Sequence, residues 1–163
     1  MNKRIIQIFT IYAILVCSIS CTVRALKNET TIEKFLNRNH YDFLIDEETD
    51  YRLKISLDDE TENTVWIRNK LNYSGDTAVR EIFSVAAVLD NEQGEYISRF
   101  LLQDNLQTRV MGSWAFMKND SDQRVILIYL LKLPLSTDDE YIRDALSEAA
   151  FAAEVMKSVI QTE

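Results

Sequence analysis

Few residues in this chain could carry covalent or metal chemistry. Its one histidine is His40, its two cysteines are Cys17 and Cys21, and its three glycines, Gly75, Gly94 and Gly112, stand far apart. Nucleophilic catalysis needs a Ser, Cys or Thr held beside a base. After Cys21 there is no thiol, the only imidazole is His40, and no Gly-x-Ser-x-Gly elbow occurs. A phosphate-cradling loop needs clustered glycines, so nucleotide-dependent chemistry is excluded. Zinc needs several nitrogen or sulfur ligands, whereas His40 has only carboxylates to share a metal with. At a helix-to-strand junction His40 reads as a surface or capping residue. Carboxylates are abundant, with 26 Asp and Glu against 18 Lys and Arg and a formal net charge of -8. A carboxylate pair can hydrolyse a glycoside, so a carboxylate-dependent hydrolase is the catalytic alternative. The expectation is no enzyme, no cofactor and no metal.

The acidic residues concentrate in Asp46-Glu47-Glu48-Thr49-Asp50 and Asp58-Asp59-Glu60-Thr61-Glu62. Neither has the Asp-x-Asp-x-Asp-Gly loop with a glutamate at its twelfth position that wraps calcium, so both read as solvated turns. Lys3, Arg4 and Arg24 precede every acidic residue, which leaves residues 26–163 with 15 basic against 26 acidic groups. Binding nucleic acid requires clustered Lys and Arg, so no nucleic-acid partner is expected.

The elements that would position these groups begin after an export signal. Lys3 and Arg4 precede an apolar stretch from Ile5 that Gln7 and Thr10 interrupt before the run Ile11 to Cys17. That is signal-peptide architecture, broken by polar residues well short of a membrane span, with an uncleaved signal anchor as the alternative. Two cleavage sites fit: Val23-Arg24-Ala25 would release a soluble domain, while Ser18-Ile19-Ser20-Cys21 resembles the lipobox of bacterial lipoproteins. The lipobox resemblance implies that Cys21 is acylated and that the signal segment or a lipid anchor makes the only membrane contact. The expected organisation is a signal peptide over 1–20, a tether over 21–30 and one domain over 31–163, exported to the periplasm or the envelope membrane.

Ile32, Phe35 and Leu36 predict a short helix from Thr31 to about Asn39. Tyr51, Leu53, Ile55 and Leu57 alternate with polar residues and predict a half-buried strand. Strands are also predicted over Tyr41–Ile45, Thr64–Leu71, Val79–Leu89, Val110–Met117 and Gln123–Leu133. A helix over Glu92–Gln107 should bury Ile97, Phe100 and Leu101. Pro134 should stop the sheet. Thr137 with Glu140 predicts a capping box opening a long final helix, whose stripe runs through Ile142, Ala145, Leu146, Ala149, Ala153, Met156 and Ile160. The fold class is α+β: an antiparallel sheet of about five to six strands with a short N-terminal helix, a middle helix and a long C-terminal helix.

Three stretches carry a resemblance to a known family. They are Glu95 to Leu106 ("EYISRFLLQDNL"), Gly112-Ser113-Trp114-Ala115-Phe116, and Leu131 to Leu146 ("LKLPLSTDDEYIRDAL"). In this order they resemble the YbjN family, whose fold is similar to that of type III secretion chaperones. The resemblance covers roughly Thr31 to Glu163 and brings no catalytic residues. It implies a chaperone-like or regulatory protein that binds a protein or peptide partner or a second copy of itself. The export signal departs from a cytoplasmic chaperone role, which leaves a structural envelope lipoprotein as the alternative.

One strand points to where a partner would bind. In Arg124 to Leu133 the residues Val125, Leu127, Tyr129, Leu131 and Leu133 face one way, yet Ile126, Ile128 and Leu130 opposite them are apolar too. A wet face should be polar there, so either helices of the same chain or a partner must cover it. The partner-binding set is Ile126, Ile128 and Leu130, with Met111 and Met117 as adaptable contacts. On the partner reading, Ile128→Asp abolishes association and leaves a folded monomer.

Overall fold

The computed structural model describes residues 31–58, 61–118 and 124–161. The expected signal peptide and tether, with Cys21, lie outside them. The chain divides into two compact units after Tyr41.

In the first unit, helix α1 (residues 31–38) buries Ile32, Phe35 and Leu36, the stripe its spacing predicts. It stops because His40 turns left-handed at φ 58°. The His40 N–H then donates to the Asn37 carbonyl (3.2 Å) and the Tyr41 N–H to the Leu36 carbonyl (3.0 Å), the paired bonds of a Schellman cap. The Tyr41 ring stacks on Phe35 at 5.9 Å. His40 is therefore an exposed capping residue.

The second unit is an antiparallel sheet with two helices. Its elements are β1 (Phe43–Ile45), β2 (Tyr51–Ser56), β3 (Glu62–Ile67), β4 (Asn72–Ser74), β5 (Thr77–Leu89), α2 (Asn91–Gln107), β6 (Gly112–Lys118), β7 (Val125–Pro134) and α3 (Asp139–Gln161). The strand order is β1-β2-β3-β5-β7-β6, with β4 paired to β5. Seven strands exceed the five to six expected. The additional strand is β4, a polar hairpin arm: Ser74 pairs with Thr77 around Gly75, whose φ of 58° suits a two-residue turn. The segment before Asp90, predicted as a strand from Val79, is strand throughout, with a bulge at Ala86.

Period-two alternation assigns each side chain to a face. One cross-strand row reads Phe43, Leu53, Val65, Ser84, Tyr129, Trp114, and the next reads Ile45, Tyr51, Ile67, Ile82, Leu131, Gly112. Both helices lie on this face. The Tyr129 hydroxyl bonds to Glu148 of α3, Asn63 Nδ2 donates to the Ala150 carbonyl (3.0 Å), and the Trp114 indole N–H donates to Asp104 of α2 (2.6 Å). Alanines make the close approach possible, since Ala145, Ala149, Ala150, Ala152 and Ala153 are all fully buried on α3.

Caps and glycines follow from the same contacts. The α3 N-cap is Asp138, one residue later than expected; its carboxylate accepts the Tyr141 N–H at 2.9 Å. Asp90 and Gln93 form a full capping box on α2. Leu101 is buried as predicted and Ile97 is half-buried, but Phe100 is 54% exposed, because the buried face of α2 is centred on Gly94 and Leu101. A methyl group on Gly94 would sit 2.8 Å from Val125, and one on Gly112 would sit 2.6 Å from the Tyr129 ring.

Candidate binding surface

The opposite face of the sheet carries the row Leu44, Arg52, Trp66, Phe83, Leu130, Ser113. Neither α2 nor α3 covers it. Ile126, Ile128 and Leu130 all project to this side from β7, and Met117 joins them as the cross-strand partner of Ile126. Met111 precedes β6 and is not part of the ladder. Ile128 is only 5% exposed, whereas Ile126, Leu130, Met111 and Met117 are half-buried.

Long side chains of the same strands fill the middle of this face. Trp66 stacks on Phe83 at 5.5 Å with the ring planes 8° apart. The Arg68 guanidinium lies 5.3 Å over the Phe83 ring, and its Nη2 reaches Met117 Sδ at 3.5 Å. Glu81 sits between Arg68 Nε and Lys132 Nζ, 3.6 Å from each, and Lys54 pairs with Glu62 at 3.0 Å.

A second surface runs between α2 and the edge strand β6. A groove of about 260 Å³ is lined by Leu101, Leu102, Trp114, Ala115 and Phe116 with Ser98 and Asn105. Leu102, Leu106, Val110 and Phe116 are exposed around it. These residues were not among those read as partner-binding. The signal for them is present in the sequence: Tyr96, Ile97, Phe100, Leu101, Leu102 and Leu106 place apolar residues on several sides of α2, more than one buried stripe requires.

Beside the groove, buried polar groups fix Trp114. Burial pushes the Asp104 carboxyl up, but hydrogen bonds from Arg109 (2.7 Å) and the Trp114 indole (2.6 Å), with the guanidinium charge, outweigh it and hold the group below the usual carboxylate range. Arg109 also lies over the Trp114 and Tyr129 rings, at 5.5 and 5.4 Å. Burial, the bond to Glu148 and that residue's charge push the Tyr129 hydroxyl well above its ordinary range.

The acidic turn before β2 satisfies backbone groups. Asp46 Oδ1 accepts the N–H groups of Glu48 and Asp50, and Asp50 Oδ1 accepts that of Asn69. No cluster of three or more potential metal ligands occurs among the described residues. None of the helices among them is long and apolar enough to cross a membrane.

No protein-family description matches the chain, and no curated protein does. A solved structure does. The crystal structure of YbjN from E. coli, described as a candidate transcription regulator, superposes with a TM-score of 0.52 at 10% identity, over 82% of this chain and 91% of that one. The chain has a YbjN-like fold. The three stretches that resemble this family fall on successive elements: Glu95 to Leu106 lies within α2, Gly112 to Phe116 opens β6, and Leu131 to Leu146 runs from β7 through Pro134 and the Asp138 cap into α3.

Proposed function

We propose that this is an exported, non-catalytic protein-binding domain of the bacterial cell envelope, chaperone-like or regulatory in kind. One observation carries the reading: α2 and α3 pack on the same side of the sheet, while the opposite side is floored by the Trp66–Phe83 stack and the half-buried Ile126, Leu130 and Met117. A sheet face of this kind fits a protein segment, its aromatic and methionine side chains giving adaptable apolar contact. Export rests on the signal-peptide pattern of residues 1–20, and anchoring on Cys21.

A photo-crosslinking residue placed at Leu130 in the full-length protein tests the binding face, with Ser147 on the exposed side of α3 as the control position. A discrete crosslinked species from position 130 alone supports the reading. Equal or no crosslinking from both positions removes it.

A further inference from the structure

The sheet face opposite α2 and α3 differs in charge from the chain as a whole. Its strand positions, with Arg68, carry four basic residues (Arg52, Lys54, Arg68 and Lys132) against two acidic ones, Glu62 and Glu81. Residues 26–163 as a whole carry 15 basic against 26 acidic groups. A basic island has therefore been kept on the one sheet face that neither α2 nor α3 covers. Glu62 is met by Lys54, and Glu81 is shared by Arg68 and Lys132, so the island retains a positive surplus.

The basic side chains also stand beside apolar surface. Arg52 is exposed and lies in register between Leu44, 61% exposed, and Trp66. Lys132 is exposed two residues along β7 from Leu130. A ligand lying across the sheet would meet Leu44, Arg52 and Trp66 in succession, about 4.8 Å apart from strand to strand, and further across would meet Leu130 with Lys132 beside it.

We infer that this face binds an acidic, apolar-containing segment of a partner protein, with Arg52 and Lys132 meeting its carboxylates and Leu44, Trp66 and Leu130 its apolar side chains. This rests on the binding reading above and adds the partner's chemistry to it. A polynucleotide fits less well. It would need an extended basic track, and beyond this face the domain's carboxylates would repel its phosphates over the distance that salt fails to screen.

The probes are a fluorescein-labelled short peptide alternating glutamate and leucine, its lysine–leucine counterpart, and a labelled oligothymidylate, each titrated by anisotropy against the full-length protein. Saturable binding of the glutamate peptide alone is expected. It should weaken with added salt and fall at least about tenfold in Arg52→Glu combined with Lys132→Gln, a change expected of interfacial charge. Circular dichroism checks that the variant is folded, and Arg52→Gln alone, at an exposed position, replaces it if it is not. Equal or tighter binding of the lysine peptide or the oligothymidylate, undiminished binding by the charge variants, or no response to the glutamate peptide overturns the acidic assignment. The Leu130 crosslink is read independently, so a partner captured there with any of those results would retain the binding face and discard only the partner's charge.

Discussion

The Asn105 side chain takes both main-chain polar groups of Trp114: its Oδ1 accepts the Trp114 N–H at 2.6 Å and its Nδ2 donates to the Trp114 carbonyl at 3.2 Å. β6 is an edge strand, and at this residue a side-chain amide does what a neighbouring strand would do. Asn105→Ala leaves both groups unpaired beside an apolar groove and should cost about 1–3 kcal/mol. Urea unfolding measures it. A smaller loss with Asn105→Asp, which keeps the acceptor, would assign the larger share to the Trp114 N–H.

Asp104 gives the fold an acid limb. Its carboxyl titrates lower in the folded state than in the unfolded chain, so its stabilisation is fully present above the ordinary aspartate value and is lost as pH falls through the depressed folded one. Asp104→Asn should lower stability at neutral pH by about 2–3 kcal/mol, because charged hydrogen bonds to Arg109 and Trp114 are weakened. Stability measured against pH should then fall less steeply in acid than for the unsubstituted protein.

Asp50 works in the opposite sense. Burial raises its carboxyl above the ordinary value despite the Asn69 N–H, and Asp46 nearby raises it further. The folded state then holds its proton more tightly, so the ionised group costs stability at neutral pH and the cost disappears as pH falls through the raised value. Asn keeps an acceptor for Asn69. Asp50→Asn should therefore be neutral or stabilising by up to about 1 kcal/mol at pH 7, with the advantage shrinking on acidification.

Ile128 and Leu130 separate core from surface on one strand. A carboxylate at Ile128, 5% exposed, is desolvated with nothing to pair it and should cost at least about 3 kcal/mol, whereas the same change at half-buried Leu130 should leave a folded protein. Thermal melts of the two variants decide it. If Ile128→Asp melts like the unsubstituted protein, its neighbours move aside to admit water.

His40→Gly should stabilise the first unit by about 0.5–1 kcal/mol, since glycine takes the left-handed conformation without the cost a Cβ incurs. The melting temperature measures it, and a decrease would mean that the imidazole contributes more than its backbone costs.

Much of this fold was legible in the sequence because alternation and helical stripes are local properties. Tyr51, Leu53 and Ile55 and the alanine stripe of α3 fall where their periods place them. The seventh strand was hidden because Asn72-Tyr73-Ser74 is too short and polar to show a period, and only its pairing with β5 makes it a strand. The exposure of Phe100 was hidden for a different reason: α2 carries apolar residues on several sides, so its sequence does not say which of the adjacent Phe100 and Leu101 turns to the sheet. At the candidate surface, Ile126 and Leu130 were legible as an apolar excess on β7. The Trp66–Phe83–Arg68 stack was not, since it is assembled from β3 and β5, residues separated in sequence and matched only by register.

The tight fit under Gly112 bears on how kinship among such proteins can be recognised. At 10% identity to its structural neighbour, little of the chain's composition can serve as a lineage marker. A position where even one carbon would collide with the Tyr129 ring and Leu131 is different, because no drift of surface or core hydrophobicity relaxes it while that tyrosine remains. Chains that keep this strand pairing should therefore be detectable by a paired signature, glycine at the start of the sixth strand facing an aromatic residue in the middle of the seventh, and exchanges at the two sites should occur together.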